Sequence, residues 1–191
     1  MRVINYDDVK IDPRQRVQFN GEIKRLTQLV CDQYSLADKF SAKIAISNQL
    51  PLIYFLLDKE LKDKKILDLG CGSNTPTIEF NESSLRKYEP WLCRALLYLQ
   101  AEPIGIDFGN LEDELFEHYQ GELSLPNSLA QIPDQSIDLI NMSSVIGSRH
   151  SSNHGIYIDT LMGNLQKQAQ RVLKPNGIFL STNINQSYLI S

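Results

Sequence analysis

Cysteine is scarce in this 191-residue sequence, and so are long apolar runs, linker-like tracts and surplus positive charge. The three cysteines, Cys31, Cys71 and Cys93, are widely spaced and include no CxxC pair. Neither a disulfide framework nor a zinc site is therefore expected, and the simplest reading is reduced thiols in a cytoplasm with no bound metal. The longest apolar run, Pro51 to Leu57, falls far short of the ~20 residues that span a bilayer. Met1 to Asp12 carries charges where a signal peptide needs an apolar stretch. A cytoplasmic protein with no membrane partner is expected. The net charge of -4 removes the general attraction for phosphate backbones on which most nucleic-acid binders depend, so a small-molecule or protein substrate is favoured over nucleic acid. No Pro/Gly/Ser-rich tract, low-complexity run or internal repeat divides the chain. With 42% apolar residues, residues 1–191 are expected to form a single domain around one sizeable core. The sequence leaves the oligomeric state open.

What is present changes character near residue 65. Before it, Phe19, Ile23, Leu26 and Val30 recur at spacings that lay one apolar stripe along a helix. A second helical stretch is expected from about Ser35, and Pro51 suits the first turn of a third that runs through Ile53, Leu56 and Leu57. Residues 1–49 thus read as an N-terminal helical cap and 50–191 as the core of the domain. From Lys65 onward, short apolar runs alternate with helical periods, the pattern of βαβ units around a parallel sheet. The expected strands are Ile66 to Leu69, Pro103 to Asp107, Glu122 to Leu125, Ile137 to Met142 and Ile178 to Thr182. The expected helices carry Leu92, Ala95, Leu96 and Leu99; then Leu111, Leu115 and Tyr119; then Ile158, Leu161, Met162, Leu165, Ala169, Val172 and Leu173. Lys174-Pro175-Asn176-Gly177 reads as the turn from the last helix to the last strand.

The most informative segment is Ile66-Leu67-Asp68-Leu69-Gly70-Cys71-Gly72-Ser73-Asn74, an apolar strand that runs straight into a glycine-rich loop. Gly70 and Gly72 have no side chains to obstruct a ligand and can take positive φ. Asp68, two residues before the first glycine, places a carboxylate beside that backbone cradle, which suits a cationic or amino-bearing ligand.

This segment resembles the first motif of the class I S-adenosylmethionine (SAM) dependent methyltransferases, an acid and a hydrophobe before G-x-G. Three later segments are similar to that family in the same order. Ile104-Gly105-Ile106-Asp107 matches its second strand, Ile132 to Ile140 its approach to strand four, and Arg171 to Ile178 its helix-turn-strand into strand five. The resemblance covers residues 50 to 183. It implies a doubly wound, mostly parallel α/β sheet in the order 3-2-1-4-5, preceded by N-terminal helices, and a methyltransferase that uses SAM. Position by position, it implies that Gly70, Cys71 and Gly72 line the methionine part of the cofactor and that Asp68 binds its amino group, directly or through water. Asp107 would take the ribose diol, Phe108 would lie near the adenine, and Glu122 with Leu123 would meet the adenine amino group. Asn141 and Met142 through Ser144, at the end of strand four, would face the sulfonium and the substrate.

The sequence departs from the family in several places. Asn74 replaces the third glycine, Ser73 to Glu89 reads as an inserted loop, and too little sequence follows strand five for the last helix and the terminal antiparallel hairpin of the usual sheet, so a shortened fold or an incomplete chain is expected. The family's tetrapeptide for methylating exocyclic amines of bases is replaced by Asn141-Met142-Ser143-Ser144. His150 and His154, in a polar stretch after strand four, are candidates for a catalytic base, whereas His118 reads as solvated and Asp138 as a structural cap. The stripe on the first helix is expected to cover the open side of the cleft as part of a substrate pocket. Two other readings stay open: a non-catalytic SAM-binding protein, and a nicotinamide-dependent oxidoreductase. Against the latter, the third fingerprint glycine position is Thr75.

Overall fold

The computed structural model describes residues 1–33, 39–73, 89–143, 145 and 158–181. In chain order the elements are β1 (Arg2–Asn5), a 3-10 turn (Tyr6–Asp8), α1 (Pro13–Gln33), α2 (Lys39–Leu56), β2 (Lys65–Leu69), α3 (Trp91–Tyr98), β3 (Glu102–Asp107), β4 (Glu117–Gln120), β5 (Ile137–Met142), α4 (Ile158–Val172) and β6 (Leu173–Ser181). The six strands form one sheet in the order β1-β6-β5-β2-β3-β4, and every pairing is parallel. Parallel strands joined through helices are buried on both faces, and this explains why Ile66 to Leu69 is apolar at every position but Asp68.

Helices cover both faces. On one, Ile23, Leu26 and Val30 of α1, Ile46, Leu50 and Ile53 of α2, and Leu92 and Leu96 of α3 form a single core with Ile66, Leu139, Ile178 and Leu180 of the sheet. On the other, Leu161, Leu165, Ala169 and Val172 of α4 pack on Leu67, Leu69, Ile106, Ile140 and Phe179. The stripe of α1 thus lies against a sheet face. α2 runs without a break through the boundary expected between residues 49 and 50. Pro51 therefore sits inside a helix instead of opening one. Its ring removes one backbone hydrogen bond, but Leu50, Leu52 and Ile53, each buried on either side of it, hold the helix to the core.

Four of the five expected strands form and keep their expected relative order, and the sheet differs from the expectation in three details. β1 adds a sixth strand at the β6 edge, with Val3 opposite Phe179 and Ile4 opposite Leu180. A four-residue segment whose pairing is entirely non-local carries too little periodicity to be read from sequence. The third strand is Glu117–Gln120, not Glu122 to Leu125, and it replaces the helix expected through Leu111, Leu115 and Tyr119. Leu115 is exposed while Leu111 and Phe116 are buried, so the four-residue spacing marks no common face. Glu122 to Leu125 is instead a turn, closed by the Leu125 amide on the Glu122 carbonyl at 3.3 Å. The expected turn at Lys174 to Gly177 lies within β6 as an irregularity: Leu173 pairs with Ile137 and Ile178 with Leu139, and Asn176 takes φ 67°.

Candidate functional site

β2 is the switch point of the sheet: from it the chain proceeds through β3 to one side, while β5 returns on the other. Side chains and loops at the carboxyl ends of these strands border the crevice in which doubly wound sheets bind ligands. Asp68, Gly70 to Gly72, Asp107 and Asn141 all stand at those ends.

The turn after β2 has the conformation that the sequence predicts. Gly70 has φ 70° and Gly72 φ 97°, a region that costs a side-chain-bearing residue ~1–2 kcal/mol. A Cβ on Gly70 would also lie 2.4 Å from Val145 Cγ2. The Gly70 and Cys71 amides donate to the Ile106 carbonyl at 2.8 and 3.2 Å, and the Gly72 amide donates to Asp107 Oδ2 at 2.9 Å. Asp107 Oδ1 accepts from the Gly109 amide at 2.8 Å. The Gly70 to Gly72 turn and the acid at the end of β3 are thereby hydrogen-bonded into one unit. A carboxylate offers about four lone-pair positions. The two amides use two of them, which leaves acceptor capacity for a pair of hydroxyls.

Asp68 is placed differently. It shares the α1–α3 face of the sheet with Ile66, and its residue is only 3% exposed. Its Oδ1 accepts from Asn141 Nδ2 at 2.6 Å and its Oδ2 from the Cys93 thiol at 3.7 Å. Burial, which penalises the charge, raises its pKa to about 7, against the opposing effect of the bonds from Asn141 and Cys93; the negative charge of Asp107 adds to the rise. Burial likewise pushes the Cys93 thiol up to about 11 and the Cys71 thiol well above its ordinary value, so neither has the thiolate character of a nucleophile.

Asn141 is fully buried, and both ends of its amide are engaged. Oδ1 accepts from the Tyr6 hydroxyl at 2.5 Å, while Nδ2 donates to Gln49 Oε1 at 2.9 Å as well as to Asp68. Tyr6 and Gln49 have no motif to mark them. The sole hint is that a charged Asp68 inside an apolar strand must find polar company, and where that company comes from is a matter of tertiary structure.

Other candidates fall further from this cluster. The Met142 and Leu123 side chains are buried in the apolar core on the α4 face. Glu122 Oε1 accepts from the amide and hydroxyl of its neighbour Ser124 at 3.2 and 3.0 Å, bonds that stabilise its own turn. Phe108 follows Asp107, and its carbonyl accepts from Gln120 Nε2 at 3.0 Å. Asp138 is structural, taking the Lys65 amide at 2.9 Å and Lys174 Nζ at 2.7 Å. His118 is half-buried on β4, with Nδ1 2.9 Å from the Phe116 carbonyl. His150, His154, Asn74 and Ser144 lie outside the described residues, as does most of the loop expected from Ser73 to Glu89.

No protein-family model and no curated protein matches the sequence. Solved structures similar to this one include the CurJ carbon methyltransferase, with a TM-score of 0.43 and 18% identity over 89% of this chain and 41% of that one. Another is geranyl diphosphate C-methyltransferase from Streptomyces coelicolor A3(2), solved with Mg2+, geranyl diphosphate and S-adenosyl-L-homocysteine, with a TM-score of 0.41 and 12% identity over 80% of this chain and 54% of that one. A protein of Methanococcus maripaludis described as an S-adenosyl-L-methionine-dependent methyltransferase has a TM-score of 0.40 and 15% identity over 95% of this chain and 68% of that one. The chain thus spans about half the length of the first two.

Beside this site, Arg94 on α3 is held between Glu89 at 2.6 Å and Glu114 at 2.6 Å, with all three side chains at most 6% exposed. The triad ties the start of α3 to the segment before β4. Among the described residues, no three His, Cys, Asp or Glu side chains come together as metal ligands, and no helix is long and apolar enough to cross a membrane.

Proposed function

We propose that the chain binds SAM across the carboxyl ends of β2 and β3 and transfers its methyl group to a small-molecule or protein acceptor. The observation that carries this reading is the hydrogen bond from the Gly72 amide to Asp107 Oδ2. It fixes a positive-φ glycine turn beside an acid with acceptor capacity for two vicinal hydroxyls, at the switch point of the sheet. SAM carries such a diol on its ribose, together with an amino acid end that the glycine turn can admit against bare backbone. The cofactor, when bound, supplies a methyl group on a positively charged sulfur that departs as a neutral thioether. The residues of this chain contribute position: Asp107 holds the ribose and the Gly70 to Gly72 backbone borders the methionine end, with Asp68 buried behind the turn on Asn141 and Cys93. Catalysis of this kind is mainly the alignment of two reactants in a site that excludes water.

Thermal denaturation and calorimetry with SAM, S-adenosylhomocysteine and NAD+ in parallel test the reading, because a ligand that binds the folded state alone stabilises it by mass action. Stabilisation by both sulfur ligands and not by NAD+ is expected. Asp107→Ala should weaken SAM by ~1.5–3 kcal/mol, the range for hydrogen bonds to a charged group, in a protein that stays folded. No response to either sulfur ligand at millimolar concentration overturns the reading, and stabilisation by NAD+ alone moves the site to dinucleotide chemistry.

A further inference from the structure

Asn141 can be inserted beside Asp68 in two orientations related by a half-turn of its amide, and only one of them is compatible with an ionised Asp68. With Nδ2 toward Asp68, as found, the amide donates to the carboxylate. With Oδ1 toward it, two acceptors would face each other at hydrogen-bond distance, a contact that only a protonated Asp68 can turn into a bond. What fixes the choice is the other end of the amide. As found, the Tyr6 hydroxyl donates to Asn141 Oδ1 and Nδ2 donates to Gln49 Oε1; a half-turn would set Nδ2 against the Tyr6 oxygen, which can accept, but the hydroxyl proton would lose the acceptor it now has. Tyr6 belongs to the 3-10 turn that follows β1, and β1 is anchored along β6 four strands away from β3.

We infer that Tyr6 is a positioning residue of the glycine-turn site: its hydroxyl locks the Asn141 amide so that Asn141 donates to Asp68, which makes the N-terminal segment a working part of the site. This deepens the SAM reading, and its geometry stands independently of which ligand the site takes. The groups that face Asp68 bear out the need for a lock. They are the Cys93 thiol from α3, the Asn141 amide from β5, Cys71 from the turn, Tyr6 from the N-terminal segment and Asp107 from β3. All are neutral or negative, and Arg94, the next residue along α3, is engaged with Glu89 and Glu114. With no cation beside Asp68 among the described residues, the Asn141 N–H is the strongest support for its ionised form.

The test is a carboxyl NMR titration of Asp68 in the ligand-free full chain, its signal assigned by Asp68→Asn. Tyr6→Phe keeps the ring that packs against the core and deletes the donor. Asn141 can then turn, and the Asp68 midpoint should rise by roughly 0.5–1 unit, the equivalent of one neutral hydrogen bond. Tyr6→Phe should produce no further rise in an Asn141→Ala background, because Tyr6 acts through Asn141. A chain with p-aminophenylalanine at position 6, which retains a donor, should restore the midpoint. An unchanged or lowered midpoint in Tyr6→Phe, or the same rise in the Asn141→Ala background, overturns the inference. If Tyr6→Phe does not fold, the p-aminophenylalanine chain decides alone: a midpoint matching the wild type supports the lock and a raised one refutes it. A parallel arm measures SAM affinity at pH 6 and pH 8. A wild-type chain that binds no SAM sinks the cofactor reading, while the Asp68 titration still decides the role of Tyr6.

Discussion

Replacing Asp68 by Asn should make this protein more stable at alkaline pH. The residue is 3% exposed, and in the folded chain its pKa stands at about 7 against an ordinary 3.8. Between those values the folded state holds a proton that the unfolded chain has released. Its stabilising contribution is therefore complete below pH ~4 and is lost as the pH rises through ~7. The difference of about three pKa units sets a ceiling of ~4 kcal/mol on the loss. Asn has the same shape and no charge. Its Oδ1 can take the Asn141 Nδ2 hydrogen that Asp68 now takes, and its own amide faces the Cys93 sulfur, a weak acceptor. Urea denaturation of the two proteins from pH 4.5 to pH 8.5 isolates the residue, since all other titrations cancel in the comparison. The curves should meet near pH 4.5 and separate through neutrality, with Asp68→Asn on top by a few kcal/mol at pH 8. Parallel curves, or a variant that is the weaker protein at pH 8, would refute the argument that a buried carboxylate is kept here at the expense of stability. Such residues are found where a site requires them.

Gly70→Ala combines a φ of 70° with a Cβ 2.4 Å from Val145 Cγ2; a loss of at least ~1–2 kcal/mol in thermal or chemical denaturation is expected, along with a marked drop in SAM affinity by calorimetry. Arg94→Met leaves Glu89 and Glu114 as buried carboxylates without their cation, which should cost ~3–5 kcal/mol and show as a lowered denaturation midpoint that recovers in part at acid pH. Leu26→Ala, at a fully buried position in the core shared by α1–α3 and the sheet, should cost ~2–5 kcal/mol; a value near zero would mean that α1 is not part of the core.

The repeat of short apolar runs and helical stripes after Lys65 determined by itself that this is an α/β chain with a parallel sheet, because strand and helix periods are properties of neighbouring residues. Asp68, Gly70 and Gly72 stood out for the same kind of local reason: a charge does not belong in an apolar strand, nor paired glycines at its end, unless something approaches them. Asp107 was visible as the acid that closes the second strand. The tertiary structure decided what local pattern does not encode. β1 exists through its pairing with residues 178–181, and β4 displaced an expected helix because the middle of its pattern, Leu115, faces solvent. Pro51 sits within α2 because the residues around it are buried. The same holds at the site. Asp107 meets Gly72 across 35 residues, and Asn141 meets Tyr6 across 135 and Asp68 across 73. Hydrogen bonds over such separations are set by the order of strands in the sheet and by the face on which each side chain emerges, quantities that exist only once the chain has folded.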